Sequence, residues 1–397
     1  MEEMILNIDD RYSTTRRVIK ADPVENPEAL AVIANAVKQS HKPEDKFETL
    51  LYLPEGEVRQ GEGGLRTQGY FKVGGLIQEE SIAMSLRGAL ATRQSIDGEG
   101  VTTNEAIYHE DSHSHSSESG NLASPLTEEA PSPETKPLIT VVTVVFNGEQ
   151  YLEETILSVI NQTYDNVEYI IIDGGSTDGT LDIIKKYEHA IDYWVSEKDK
   201  GIYDAMNKGI RLANGEIIGL INADDYYLET TVESVVETFK VSKPDVLFGN
   251  KTALNEDLKI QKSVSVSLPT SMQDLAVHAV HPTVFVKRKV YQENLFDLKY
   301  RIAADYEFLL SIYDKGAKFY KLDQILAVMR TDGVSGGLNI DSAKIRYQKI
   351  GVYLAIKSII TYFSRRIIRY ILYKIFNSST LRKIYLKFGW ESINPLS

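Results

Sequence analysis

The fold is decided by a stretch that begins with the apolar run ITVVTVVF (residues 139–146), continues through NVEYIIIDGGSTD (166–178) and ends with EIIGLINADD (216–225). The first run is rich in β-branched residues and too short to cross a membrane, so it predicts a buried β-strand. From about Glu149, apolar residues recur at helical spacing, and strand and helix patterns then alternate as far as Tyr227. This alternation predicts an α/β fold with a mostly parallel sheet flanked by helices.

Acidic residues follow two of the predicted strands at the point where each strand ends. Asp173 comes directly after the second strand, and the cluster NADD (residues 222–225) follows the fourth. In open α/β sheets, ligands bind beyond the carboxyl ends of the strands. Both acidic turns are therefore candidate binding positions, and Gly174 and Gly175 would let the backbone approach a ligand closely.

The composition argues against several classes of protein. The chain has 397 residues, a formal net charge of -12 and no cysteine. The negative charge argues against general nucleic-acid binding, and the lack of cysteine excludes disulfides, thiolate catalysis and cysteine-ligated zinc. The acidic N-terminus lacks the apolar core of a secretion signal, and no window reaches the roughly 20 apolar residues of a membrane-spanning helix. We expect a cytoplasmic protein that is soluble or peripheral at the inner face of the cytoplasmic membrane.

The sequence pattern divides the chain into four parts. We expect an N-terminal extension of unknown role over residues 1–95, a disordered linker over 96–136, the α/β domain over 137–350 and a helical tail over 351–397. Ser, Glu, Pro, Thr and Gly dominate the linker, which has too few apolar groups to fold, so its histidines are expected to be solvated. The segment GEGGLRT (61–67) lacks the Gly-Lys-Ser/Thr ending of a phosphate-binding loop and is predicted to be a flexible turn.

The tail differs in character from the rest of the chain. Aliphatic and aromatic residues recur between residues 355 and 385, interleaved with lysines and arginines and with no acidic residue before Glu391. A basic amphipathic helix in an otherwise acidic protein is typical of an element that lies on a membrane surface. The alternative is a C-terminal helix that packs on the domain with its basic side in solvent.

Two adjacent carboxylates at a strand end favour a divalent-cation site. Unpaired, Asp224 and Asp225 would repel each other and raise each other's pKa, whereas a cation turns them into a hard-oxygen site. Mg²⁺ and Mn²⁺ take a few carboxylates and complete their shell with water and substrate phosphate, which suits a nucleotide diphosphate. Asp173 could accept hydrogen bonds from a base or ribose, whereas Asp178 is expected to cap the helix that follows it.

Four ordered motifs resemble the inverting family-2 glycosyltransferases with the GT-A fold, in particular bacterial enzymes of surface-polysaccharide assembly. The motifs lie at residues 139–147, 173–180, 205–209 and 222–227, and the resemblance extends over residues 137–350. Segment 61–72 is similar to a leader that precedes such domains. The resemblance implies a Rossmann-like GT-A sheet and a metal-dependent enzyme that moves a sugar from a nucleotide diphosphate donor.

The resemblance also implies how the nucleotide would be bound. Phe146 and Asn147 match the aromatic residue and the asparagine near the nucleotide base, and Asp173 matches the acidic residue that contacts the base. Gly175 belongs to the same loop and is expected to approach the donor through its backbone. His281 could contact the acceptor or the phosphates, or it could be a buried, hydrogen-bonded histidine.

The metal and the leaving diphosphate are implied to lie at the NADD cluster. This cluster matches a metal-binding Asp-x-Asp region in which Asn222 replaces the first aspartate. An amide can bond a ribose hydroxyl but is a poorer metal ligand, so Mg²⁺ or Mn²⁺ is expected on Asp224 or Asp225. Lys200 or Arg330 is expected to help stabilise the leaving nucleotide diphosphate.

Asp305 matches the general base of the family, although the usual Glu-Asp pair here reads Ala304-Asp305. The implied reaction is attack of an acceptor hydroxyl, deprotonated by Asp305, on the anomeric carbon with inversion of configuration. The glycine-rich loop 333–337 is expected to close over the donor.

We therefore expect a hexosyltransferase that uses a uridine diphosphate sugar and a glycan or polyprenyl-linked acceptor in polysaccharide, O-antigen or capsule assembly. Two alternatives belong to other classes. A nucleotidyltransferase is expected to have a basic glycine-rich loop after the first strand, where this chain has the acidic segment FNGE (146–149). A catalytically silent nucleotide-sugar-binding module of a membrane assembly would not need the full set of carboxylates at positions 173, 224, 225 and 305.

Overall fold

A computed structural model of the chain describes residues 2–9, 12–20, 50, 53, 59–68, 70–72, 136–266, 281–331, 340–349 and 351–393. Three predicted features lie outside the described residues: most of the N-terminal extension, the linker with its histidines, and the loop 333–337.

Strands and helices alternate through the middle of the described chain. The strands are β1 (Glu2–Asp9), β2 (Tyr12–Lys20), β3 (Arg59–Gly63), β4 (Tyr70–Phe71), β5 (Ile139–Val145), β6 (Val167–Asp173), β7 (Tyr193–Glu197), β8 (Ile217–Asn222), β9 (Tyr226–Tyr227), β10 (Val246–Asn255), β11 (Ile260–Val264), β12 (Val284–Lys287), β13 (Phe319–Arg330) and β14 (Glu391–Ser392). The α-helices are α1 (Leu152–Ile160), α2 (Thr180–Lys186), α3 (Ile202–Leu212), α4 (Thr231–Ser242), α5 (Arg288–Glu293), α6 (Ala304–Asp314), α7 (Ile340–Lys349), α8 (Val352–Ile375) and α9 (Ser378–Lys387).

Four parallel strands form the centre of the main sheet. β5 lies between β8 and β6, and β7 pairs with the far side of β6. Every residue of β5, β6 and β7 is buried, which explains why these strands carry apolar residues on both faces rather than on one. The predicted α/β fold with a central parallel sheet flanked by helices is confirmed.

Helices cover both faces of this sheet. On one face, Val142 of β5 and Met206 of α3 belong to a buried cluster that also includes residues of α6. On the other face, Val141 of β5 belongs to a second cluster with Ile156 of α1 and Val235 of α4. Neighbouring residues of β5 therefore contribute to opposite layers, as the two-residue period of a strand requires.

Antiparallel strands extend the sheet beyond β8. β12 pairs with β8 and with β10, and β11 forms an antiparallel ribbon with β10. β13 runs parallel to β10 and pairs near its end with the short strand β9. This arrangement brings Arg330, the last residue of β13, next to the NADD cluster that follows β8.

A leader segment, residues 59–72, joins the main sheet through β3, whereas its second strand, β4, pairs with β2 in a separate sheet of β1, β2 and β4. β3 pairs antiparallel with β7, and a 3₁₀ turn, Leu65–Gln68, follows it. Arg66 in this turn is buried and forms an ion pair with the buried Glu168 of β6. Because a buried charge needs a partner, this pair fixes the leader on the domain. The predicted flexible turn over residues 61–67 is wrong, because these residues form the end of β3 and part of the 3₁₀ turn.

The tail forms two helices rather than the predicted single one. α8 ends at Ile375, and the side chain of Asn377 caps α9 by accepting a hydrogen bond from the backbone N–H of Thr380 at 2.9 Å. α9 packs on the edge of the sheet, where Leu381 is buried in a cluster with Ile260, and β14 then pairs with β11. The packed alternative therefore holds for α9, while α8 exposes many apolar side chains. Within the described ranges, no helix has the length and hydrophobicity needed to span a bilayer.

Candidate active site

The carboxyl ends of the parallel strands meet at one rim of the sheet. Strand register places Val144 beside Asn222, Val145 beside Asp173, and Asp173 beside Ser196. The NADD cluster and the acidic turn after β6 are thus separated only by β5, a span of about 10 Å at the usual strand spacing. The sheet therefore brings together the two acidic turns that the sequence singles out.

Reciprocal hydrogen bonds lock the loop after β5 to the loop after β6. The backbone N–H of Asn147 donates to Ser176 Oγ at 2.7 Å, and the N–H of Thr177 donates to Asn147 Oδ1 at 2.9 Å. The N–H of Gly148 donates to Thr180 Oγ1 at 2.9 Å. Asn147 has a φ of 51°, a left-handed conformation that asparagine adopts more readily than most other residues. Asn147 thus joins the two loops in addition to its predicted place near the base.

Asp173 organises the second of these loops. Its carboxylate is fully buried, and Oδ2 accepts hydrogen bonds from the N–H groups of Gly175 at 3.1 Å and Ser176 at 3.0 Å. Ser196 Oγ on β7 donates to the same oxygen at 2.5 Å. Gly175 has a φ of 86°, which a side chain would make strained. The contacts of Asp173 shape the loop, and its predicted contact with a nucleotide base stays a prediction.

An exposed aromatic ring and an acidic side chain flank Gly174 at the rim. Phe146 is 64% exposed, although it directly follows the buried strand β5. A Cβ at Gly174 would lie 2.4 Å from Asp199 Oδ2 and 3.5 Å from Phe146 Cδ2, so both side chains close on this glycine. Burial raises the pKa of Asp199. A flat ring beside a hydrogen-bond acceptor suits a nucleotide base.

Asp199 is a candidate site residue that our sequence reasoning missed. It lies in the charged loop EKDKG (197–201), directly after β7, which is the third parallel strand. The rule that selected Asp173 and Asp224, a carboxylate following a strand end, selects Asp199 equally well. Lys200, which the sequence does predict, is exposed in the same loop.

The NADD cluster is held by contacts to its backbone. Thr155 Oγ1 on α1 lies 2.9 Å from the carbonyl oxygen of Ala223 and 2.7 Å from that of Asp225. Arg330 Nη1 donates to the carbonyl oxygen of Asp224 at 2.6 Å, and the backbone N–H of Arg330 donates to Asp225 Oδ1 at 3.0 Å. These contacts fix the loop without using the carboxylate of Asp224.

The two aspartates of the cluster have different environments. Asp225 is buried, and burial together with the neighbouring Asp224 raises its pKa to about 8. Asp224 is half-buried, and burial raises its pKa as well. Of the predicted metal ligands, Asp224 is therefore the one whose carboxylate is accessible, while Asp225 accepts from the backbone of β13.

The donor set at the cluster fits a cation held largely by its substrate. Asn222 Oδ1 is buried and has no hydrogen-bond partner among the described residues. No group of three histidine, aspartate or glutamate side chains is placed to hold a metal in the described part of the chain. Mg²⁺ and Mn²⁺ sites of one or two protein oxygens, completed by water and phosphate, need no such group. The carboxylate of Asp224 and the unpartnered oxygen of Asn222 match that pattern.

Arg330 is surrounded by acceptors. Its side chain is buried and forms ion pairs with Glu154 of α1 and with Glu256, where Nε lies 2.7 Å from Oε1. Its guanidinium also lies 4.0 Å from the centre of the Tyr151 ring, a cation–π distance. The predicted contact with a leaving diphosphate would require Arg330 to give up these partners, so its contacts support the NADD cluster instead.

Asp305 lies in the first turn of α6, where a tyrosine from another element holds it. Tyr203 Oη, on α3, lies 2.7 Å from Asp305 Oδ1. Asp305 also lines a small cavity with His281, whose buried Nε2 has no hydrogen-bond partner among the described residues. Burial lowers the pKa of His281, which keeps its ring neutral. Because α3 begins after the loop that carries Asp199, Asp305 is linked by contacts to the rim.

This chain matches a protein-family model and is similar to several known proteins. Residues 140–301 match the family described as glycosyl transferase family 2. An uncharacterized glycosyltransferase of Mycobacterium tuberculosis is 32% identical over 179 residues, which cover 44% of this chain and 68% of the relative.

Two further relatives have more specific names. The dolichyl N-acetyl-alpha-D-glucosaminyl phosphate 3-beta-D-2,3-diacetamido-2,3-dideoxy-beta-D-glucuronosyltransferase of Methanococcus voltae is 30% identical over 215 residues, covering 48% of this chain and 65% of the relative. TuaG of Bacillus subtilis, named for teichuronic acid biosynthesis, is 28% identical over 209 residues, covering 49% of this chain and 79% of the relative.

Replacing Arg330 with methionine is expected to lower the free energy of unfolding by about 2 to 3 kcal/mol without any ligand present. The substitution removes the guanidinium that binds two glutamates and the carbonyl oxygen of Asp224. Removing one partner of a buried ion pair destabilises the folded state. Urea unfolding followed by circular dichroism measures the difference. The exposed Lys200→Met is the matched control and should change stability by less than about 0.5 kcal/mol. Equal stability of the two variants would contradict the supporting role of Arg330.

Proposed function

The chain belongs to glycosyl transferase family 2, and from this premise we propose that it transfers a hexose from a uridine diphosphate sugar to a hydroxyl group with inversion. The proposal rests on the observation that the loops after the parallel strands meet at one rim of the sheet. Strand register puts Asn222 of β8 and Asp173 of β6 on either side of the end of β5. The half-buried Asp224 lies in the loop after β8, and the exposed ring of Phe146 lies in the loop after β5. One rim thus offers a place for a base next to a place for a diphosphate.

The base is proposed to lie on Phe146 with its polar edge toward the loop at Asp199. The exposed ring gives a stacking surface, and stacking of a base on an aromatic ring is worth about 1 to 3 kcal/mol. The lack of a side chain at Gly174 lets Asp199 lie against this loop, since a Cβ there would lie 2.4 Å from Asp199 Oδ2. The ordered contacts of Asp173 keep this loop in place before a donor arrives, which lowers the cost of binding.

The diphosphate is proposed to lie at the NADD cluster together with Mg²⁺ or Mn²⁺. Asp224 would hold the metal and Asn222 could contribute its unpartnered oxygen, while Asp225 keeps the loop on β13. When bound, such a cation neutralises the negative charge that builds up on a departing diphosphate. We propose that Lys200, which is exposed in the loop after β7, approaches the phosphates.

Asp305 is the proposed general base. Its carboxylate removes the proton of the acceptor hydroxyl as that oxygen bonds to the anomeric carbon, and the bond from this carbon to the diphosphate breaks with the electron pair leaving on phosphate. A single displacement of this kind inverts the configuration and needs no covalent intermediate. The small cavity that Asp305 shares with His281 is also lined by the aromatic rings of Tyr291, Phe296 and Phe308.

The acceptor is proposed to be a glycan or lipid-linked sugar in polysaccharide assembly. The names of two relatives support this, because one refers to a dolichyl-linked sugar phosphate and the other to teichuronic acid. The tail supports it as well, since it gives the chain a surface suited to the cytoplasmic face of a membrane.

That surface is the exposed apolar face of α8, a helix of 24 residues. Its members recur every three or four residues and are at least 41% exposed: Val352, Ile356, Ile359, Ile360, Phe363, Ile367 and Ile371. From Ser342 to Trp390 the sequence has eleven lysines and arginines and no acidic residue, although the whole chain has a net charge of -12. An apolar stripe within a cationic segment matches an anionic lipid surface, which attracts each cation by about 1 kcal/mol.

Nucleoside diphosphate should be released when the chain is incubated with Mn²⁺, a nucleotide sugar and an acceptor, and mass spectrometry over a panel of sugars would identify the donor. Asp305→Asn is expected to lower kcat by at least about 100-fold because the base is lost. Asp224→Asn should raise the Mn²⁺ concentration needed for half-maximal activity. The matched control is Asp182→Asn, which removes an exposed carboxylate on α2 and should leave both quantities unchanged.

Release of pyrophosphate in place of nucleoside diphosphate would contradict the proposal and indicate a nucleotidyltransferase. Tight binding of nucleotide sugars without turnover on any acceptor or water would indicate a silent binding module.

Flotation with vesicles tests the membrane surface on the full chain. Binding is expected to vesicles of phosphatidylcholine with phosphatidylglycerol, to be weak with phosphatidylcholine alone, and to fall as salt rises. The double variant Ile360→Glu, Ile367→Glu should lower vesicle affinity at least tenfold, because two apolar contacts are lost and two anions are added. Val241→Glu is the control, since Val241 on α4 is 84% exposed but lies outside the tail. Salt-independent binding, or a wild-type dimer that the double variant dissociates, would contradict the membrane assignment.

A further inference from the structure

Tyr203 on α3 lies between two acceptors. Its hydroxyl oxygen is 2.7 Å from Asp305 Oδ1 and also 2.7 Å from the carbonyl oxygen of Ile302. A phenol has one hydrogen, so it can donate to only one of these oxygens at a time. Two equal distances with one donor therefore define two hydrogen-bonded states that need no movement of heavy atoms.

Packing holds the tyrosine ring in this position. Tyr203 is 6% exposed, and its ring centre lies 5.4 Å from that of Phe296 in the core beneath the site. Burial and the nearby Asp305 raise the pKa of Tyr203 well above its ordinary value, so the phenol keeps its proton. The hydroxyl is thus a fixed donor rather than a group that titrates.

The other titratable groups near Asp305 in space or in sequence are not donors to it in the described structure. His281, from the turn before β12, is buried and its pKa is lowered, so the ring is neutral. Tyr291, from α5, is buried and its pKa is raised. Glu307, on the same helix as Asp305, is paired at 3.7 Å with Lys349 of α7. Among the described residues, only Tyr203 gives Asp305 a side-chain hydrogen bond, and it goes to Oδ1.

We propose that Tyr203 is a positioning residue that accommodates both protonation states of Asp305 during sugar transfer, an inference that rests on the proposed function. While Asp305 is ionised, the phenol hydrogen points to Oδ1, because a bond to a charged acceptor is the stronger of the two. This holds the carboxylate in one orientation and leaves Oδ2 for the acceptor hydroxyl. After Asp305 has taken the proton, the phenol hydrogen turns to the carbonyl oxygen of Ile302.

The proton balance of the step is complete. The O–H bond of the acceptor breaks, its proton moves to Asp305, and its oxygen forms the new bond to the anomeric carbon. The bond from that carbon to the diphosphate breaks, and its electron pair leaves on phosphate. The hydrogen of Tyr203 rotates and is not transferred, so the tyrosine ends the step as a neutral phenol. The protonated Asp305 then returns its proton to solvent, and the phenol hydrogen turns back to Oδ1.

The test is the pH dependence of turnover in Tyr203→Phe, measured on the full chain with the donor and acceptor that the wild type uses. The lost hydrogen bond is donated to the ionised carboxylate, so its removal destabilises the form of Asp305 that acts as the base. The acid limb of kcat should therefore move to higher pH by about one unit, and kcat at its plateau should fall roughly tenfold. The donor KM should stay within twofold, because the Tyr203 hydroxyl bonds to Asp305 and Ile302 and to none of the proposed donor-binding side chains. In an Asp305→Asn background, Tyr203→Phe should have no further effect on kcat.

The matched control is Tyr164→Phe, which removes a phenol hydrogen bond of 2.6 Å to the carbonyl oxygen of Pro137 away from Asp305. It should leave the pH profile unchanged. Difluorotyrosine at position 203 keeps the shape of the side chain and is a stronger donor, so it should move the acid limb to lower pH even if the phenylalanine variant does not fold. If both Tyr203 variants are active and the acid limb of kcat stays at the wild-type pH, the role of Tyr203 is overturned but the proposed function is not. An inactive wild type would overturn the proposed function together with it.

Discussion

The parallel register of β8, β5, β6 and β7 is the constraint on which the rest of the site depends. Because the four strands run in the same direction, their carboxyl ends form one rim, and the loops after them have to meet there. Hydrogen bonds from Asn147 then join the first two loops, and Ser196 joins the third strand to Asp173. Residues that are distant in sequence therefore share one surface before any ligand binds.

Charged groups at this rim divide into supports and candidate contacts. Asp173, Asp225 and Arg330 are buried and satisfied by backbone groups or by opposite charges. Burying such groups is costly, and each is stable only because its partners are in place. Asp224 and Lys200 keep accessible side chains. A diphosphate and its cation would thus meet side chains whose backbones are already fixed, which is the arrangement that preorganised binding requires.

Much of the fold could be predicted from sequence, since the buried parallel strands are apolar runs and the acidic turns follow them directly. The strand RQGEG (59–63) could not, because it has little strand propensity and pairs only where the edge of β7 offers free backbone groups. The supporting role of Arg330 could not be predicted from sequence either, because its ion-pair partner Glu154 lies 176 positions away in the chain. The start of α9 has a local signal in the capping Asn377, but the packing of Leu381 on the sheet is a contact that no local pattern records. Sequence patterns identify strand ends and carboxylates, whereas burial and pairing decide which carboxylate remains free.

The central claim is that one rim binds a base at Phe146 and a metal-bound diphosphate at Asp224. A crystal structure of the chain with a nucleoside diphosphate and Mn²⁺ tests it most directly, because the anomalous signal locates the cation independently of the nucleotide. The account predicts an anomalous peak about 2.1 Å from an oxygen of Asp224, with the base on the ring of Phe146 and near Asp199. A cation bound away from the NADD cluster, or a nucleotide bound outside the rim, would contradict it.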